Sequence, residues 1–98
     1  MSSNFRSPKI LALAKECPHC MYCGAHNHGQ VVGCHSNSQR HGKGQSLKAH
    51  DVVAYLCDQC HREIDGPGAR EYREWMFLEG VYQTTLWLLQ EGHLKVVA

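Results

Sequence analysis

Two Cys-x-x-Cys pairs, two short β-prone runs and one long stretch of helical spacing, all within 98 residues, predict a small α+β domain stapled by a metal ion. Length sets the first bound. A chain this short has room for one domain and buries only about 60–65% of its unfolded surface. Its core is therefore marginal, and six Cys with eight His supply the means to staple it. The single domain is expected to span 1–98, with a metal-bound core over about 15–66 and a helical segment over about 69–91.

The elements follow in chain order. Ser7-Pro8 ahead of Ile10-Leu11-Ala12-Leu13-Ala14 predicts a short helix with Ser7 as N-cap and Pro8 at the first helical position. Residues 17–30 are rich in thiols and His and form no long helix. Val31 to His35 and Asp51 to Leu56 are β-prone and can pair as a hairpin. Between them, residues 36–50 carry Arg40, Lys43 and Lys48 and no acid. A loop of that length in a small domain is usually functional. Asp58 is the expected N-cap of a second helix through Cys60, His61 and Ile64, stopped near Gly66-Pro67-Gly68. From Ala69 to about Gln90 the spacing of Tyr72, Trp75, Met76, Tyr82, Leu86 and Leu89 predicts an amphipathic helix with that stripe against the core. Gly80 is a candidate break in it, and Leu94 to Ala98 reads as a tail or edge strand.

Net charge decides nothing. It is +1 with neutral His, and four thiolates with one zinc ion would bring it to about −1. The first residues after Met1 form no apolar leader, and no stretch reaches 18 apolar residues. A cytoplasmic location and no membrane partner are therefore expected, where thiols serve as metal ligands rather than as a disulfide framework.

Cys20-Met21-Tyr22-Cys23-Gly24 and Cys57-Asp58-Gln59-Cys60 are the strongest signal. Each pair aims two sulfurs at one ion, and two pairs complete the tetrahedron that zinc prefers. Gly24 permits the positive φ that closes the first turn, which favours Cys20 and Cys23 as ligands. Cys17 remains an alternative ligand, because Cys17-Pro18-His19-Cys20 has the same spacing. Cys34 reads as a small buried residue. The Cys17–Cys20 pair also fits a thiol–disulfide exchange motif, but lacks the strand that should feed it. Cys57-x-x-Cys60-His61 fits a haem attachment, with Met76 as axial ligand, but follows no export signal.

A further group is His35, Asp51, His61 and Asp65. His61 and Asp65 stand four apart on one helix, so their side chains share a face and can hold one divalent ion.

These residues resemble the HNH nucleases, zinc-stabilised members of the ββα-metal, treble-clef endonucleases. The shared features are the Cys20-x-x-Cys23-Gly24 knuckle, His35 ending a strand, and Leu56-Cys57-x-x-Cys60-His61 opening a helix. With the Gly42-Lys43-Gly44 loop, Asp51 and Ile64-Asp65, the chain is most similar to the small prophage-encoded YbcO-like family. The resemblance is firm over about 15–66 and loose beyond. It implies a metal-dependent endonuclease acting on DNA, double-stranded for preference, around a structural zinc. His35 would be the general base, with Asp51, where the family often has Asn, orienting it. His61 would ligate the catalytic ion (Mg²⁺, Mn²⁺, Ni²⁺ or Zn²⁺), and Asp65 is assigned as a second ligand. Arg40, Lys43 and Lys48 would contact DNA phosphates. Many HNH sites place an Asp before the base; here it is Cys34, a better ligand for zinc or nickel than for Mg²⁺. The rival reading is a zinc module that binds nucleic acid or a phage protein without cleaving.

Overall fold

The computed structural model describes residues 7–35 and 53–95. Its elements are α1 (Pro8–Ala12) continued by a 3-10 turn (Leu13–Glu16), β1 (Val32–His35), β2 (Val53–Leu56), α2 (Asp58–Ile64) and α3 (Arg70–Gln90). The α+β class and the order of elements match the expectation. Asp51 and the loop with Arg40, Lys43 and Lys48 lie outside the described residues, as do 96–98. Among the described residues no helix is long and apolar enough to cross a membrane.

Ser7 caps α1 as expected, its hydroxyl accepting the Ile10 N–H at 3.4 Å. β1 and β2 pair antiparallel, with Val32 opposite Leu56, Gly33 opposite Tyr55, Cys34 opposite Ala54 and His35 opposite Val53. All four β2 residues are buried, because the hairpin is covered on both faces. Side chains alternate along a strand, so Ala54 and Leu56 meet α3 while Tyr55 reaches across to α1. There its hydroxyl donates to the Ile10 carbonyl.

Two expectations about the long helix are corrected. α3 runs unbroken through Gly80. A glycine there serves packing: a Cβ would lie 3.0 Å from both Ala54 Cβ and Leu56 Cδ2. The core-facing residues are Met76, Phe77, Gly80, Thr84 and Leu88. Of the stripe expected inside, only Met76 is buried, while Tyr72, Trp75, Tyr82, Leu86 and Leu89 face outward. Large side chains cannot approach β2 as closely as Gly80 and Thr84 do, so small residues define the contact face. One smaller correction remains. Cys57 rather than Asp58 occupies the N-cap of α2. Of the tail or edge strand expected over 94–98, only Leu94 and Lys95 are described, and neither is in a strand.

Candidate metal centre

The Sγ atoms of Cys20, Cys23, Cys57 and Cys60 all lie within 4.8 Å of one another. A tetrahedral zinc with bonds of about 2.3 Å sets its sulfurs about 3.8 Å apart, and Cys23 Sγ stands 3.7 Å from Cys57 Sγ. Four soft donors on two rigid turns fit a metal ion of the zinc type. Cys20, Cys57 and Cys60 are buried, and Cys23 forms the exposed corner.

Local structure builds each half. Gly24 takes φ +81°, which folds the chain back so that its N–H reaches the Cys20 carbonyl at 3.1 Å. The N–H groups of Tyr22 and Cys23 then point at Cys20 Sγ, at 3.4 and 3.5 Å. On the other half, Cys57 follows β2 as the cap of α2 and Cys60 sits in its first turn, three residues on and on the same side. The Met21 N–H donates to the Tyr55 carbonyl at 2.9 Å, which docks the knuckle beside β2.

Crowding shapes the proton affinities of the thiols. Burial raises Cys20, but N–H groups of Cys23, Cys57 and Tyr22 outweigh it and bring the thiol down to about 7. Burial and the neighbouring thiols push Cys60 up. Burial likewise raises Cys23, offset in part by the Ala25 N–H. Four thiolates cannot share this volume without a cation, and a divalent ion reverses that repulsion.

Cys17 is separate from this group: its buried thiol donates to the His19 carbonyl at 3.2 Å. That settles the register in favour of Cys20 and Cys23. Cys34 is 1% exposed, and burial pushes its thiol up to about 12, as expected of a small core residue.

His61 and Asp65 are brought together on α2, with Nε2 and Oδ2 at 3.2 Å and both side chains nearly half exposed. His35 ends β1, its Nε2 buried, and lines a small cavity of about 50 Å³ with Ile64, Arg73 and Phe77. The cavity thus joins the end of β1 to the last residue of α2, next to Asp65. Among the described residues the four thiols are the one group of three or more metal-ligating side chains this close together. His35, His61 and Asp65 do not form a second one.

Two contributors were missed from sequence. Arg73 lines the His35 cavity and donates to the Gly68 carbonyl at 2.9 Å and the Ile64 carbonyl at 3.4 Å, closing the end of α2. A cation just after Gly66-Pro67-Gly68 was the available signal, since basic side chains satisfy terminal carbonyls. Asn27 donates to the Cys17 carbonyl at 2.7 Å and accepts the Gly29 N–H at 2.8 Å, bracing the loop between knuckle and β1. Only its Asn-x-Gly spacing hinted at this.

No family model, curated protein or solved structure matches the chain.

Proposed function

We propose that the chain is a zinc-stabilised, metal-dependent endonuclease of the HNH type that hydrolyses DNA phosphodiester bonds. One observation supports the reading: His35 and Ile64 line one small cavity, and Ile64 precedes Asp65, which pairs with His61 on the helix whose first turn bears Cys60. Zinc would occupy the thiolate cluster and hold the hairpin against α2. His35 would accept a proton from the attacking water. His61 and Asp65 would hold a divalent ion, which supplies charge stabilisation at the leaving oxygen when bound. Asp51 would orient His35, and Arg40, Lys43 and Lys48 would hold phosphates of the duplex.

The direct contact between His61 and Asp65 favours a second reading, a zinc module that binds nucleic acid without cleaving it. Nicking of supercoiled plasmid with Mg²⁺, Mn²⁺, Ni²⁺ and Zn²⁺ decides between them. Cleavage that requires His35 supports the nuclease. Tight DNA binding with no nicking under any of the four ions leaves the binding module.

A further inference from the structure

α3 presents two apolar faces, and the fold buries one. On the other, Tyr72, Trp75, Leu78, Tyr82, Leu86 and Leu89 are each 37–60% exposed. Positions 72, 75, 79, 82, 86 and 89 advance by alternate steps of three and four. That is the a/d spacing of a helix–helix seam, interrupted by a single polar residue, Glu79. Monomeric domains rarely expose a contiguous apolar patch beyond a few hundred Å². This one offers on the order of 600 Å² by the size of its side chains.

We propose that α3 pairs antiparallel with α3 of a second copy of the chain. The row is symmetric about the middle of the helix, so twofold pairing sets Tyr72 opposite Leu89, Trp75 opposite Leu86, and Glu79 opposite Tyr82. Tyr72 and Trp75 thus each meet a leucine. Charge selects the direction. Parallel pairing would bury Glu79 against its own copy, two desolvated carboxylates face to face. Antiparallel pairing gives each carboxylate a tyrosine hydroxyl as donor. Gln83 already holds Glu79 from within the helix, Nε2 to Oε2 at 3.2 Å, which leaves the other oxygen for the partner.

Area agrees with a second copy as occupant. Two such faces bury about 1,200 Å² in all, the lower edge for a specific interface. Trp75 is pre-positioned as an anchor, its ring edge-on to Tyr22 at 5.9 Å. The chain outside the described residues offers little to lay over the face, Phe5 and Leu47 being its largest apolar side chains besides Met1. Glu71 and Glu74 beside the stripe disfavour DNA there. The pairing stands whether or not the chain cleaves DNA.

Sedimentation equilibrium of the full metal-loaded chain from about 1 to about 200 μM tests it, the upper concentrations reaching weak association. A reversible monomer–dimer equilibrium is expected. Leu86→Asp should raise the dissociation constant by at least about 30-fold, with helicity and metal content unchanged. Glu79→Lys combined with Tyr82→Glu should keep the dimer, because each introduced lysine faces an introduced carboxylate only in the antiparallel arrangement. A monomer throughout the range, or a dimer indifferent to Leu86→Asp, overturns the proposal. Loss of the dimer in the charge-exchanged pair, with the fold intact, overturns its direction.

Discussion

The buried hydroxyl of Thr84 accepts the backbone N–H of Tyr55 at 2.9 Å, a polar contact between α3 and β2 inside an apolar layer. Thr84→Val keeps the volume but strands that N–H without an acceptor, so stability should fall by about 1–3 kcal/mol. Thr84→Ser keeps the acceptor and loses one methyl, about 1 kcal/mol. Chemical denaturation of the metal-loaded chain compares the two. A loss at Thr84→Ser with none at Thr84→Val would mean that volume, not the hydrogen bond, matters here.

Freshly purified protein should carry about one tightly held zinc per chain. Cys57→Ser or Cys60→Ser should unfold it, since binding energy at a structural site is folding energy. Cys17→Ser should keep its zinc, because that thiol bonds to His19 rather than to the cluster. Metal analysis with far-UV circular dichroism reads both. Fully folded, zinc-free wild type would remove the staple from the account.

The two imidazoles should fail differently. His35→Ala should cut plasmid nicking by about 10²–10⁴, the usual worth of a general base, with zinc content and DNA binding retained. His61→Ala should weaken the catalytic ion, and excess divalent metal should restore part of its activity. If excess metal rescues both variants alike, the assigned roles are wrong.

Alkaline stability should trace Tyr55. Burial, with the nearby Cys17 thiolate as a smaller cause, pushes its hydroxyl up to about 12 from an ordinary 10.0. The folded state thus favours the neutral phenol. That stabilisation is complete below about 10 and is lost as pH rises toward 12. Tyr55→Phe loses the bond to Ile10, about 1 kcal/mol at neutral pH, and should fall less steeply above pH 10 in denaturant midpoints. The difference between the two profiles isolates Tyr55 from Tyr22, which its bond to Tyr72 also pushes up to about 12. Parallel profiles would show that the phenol does not control the alkaline limit.

The metal cluster was readable in the sequence because its chemistry is local: a Cys-x-x-Cys turn carries its geometry within four residues, and Gly24 marked the better register. The hairpin and the cap at Ser7 were legible for the same reason. The inner face of α3 was not. Apolar spacing identified a helix, but Tyr72, Trp75 and Tyr82 pointed to the wrong side of it. Which face turns inward depends on Gly80 and Thr84 fitting against Ala54, Leu56 and the Tyr55 backbone, a match between distant segments that no window reveals. The i, i+4 spacing placed His61 beside Asp65. Spacing says nothing about the depth of a ring, so the burial of His35 Nε2 was not foreseen.

The hydrogen bond from Met21 to the Tyr55 carbonyl gives the metal a protective duty. Val53-Ala54-Tyr55-Leu56 is uncharged and proline-free, the composition of a strand that recruits copies of itself into aggregates. Met21 lies between the first two thiols, so stripping the ion loosens the group that occupies this strand's carbonyl. Chelated protein should therefore clump rather than merely unfold. Restoring the metal then becomes a race against association, with recovery falling as protein concentration and delay increase.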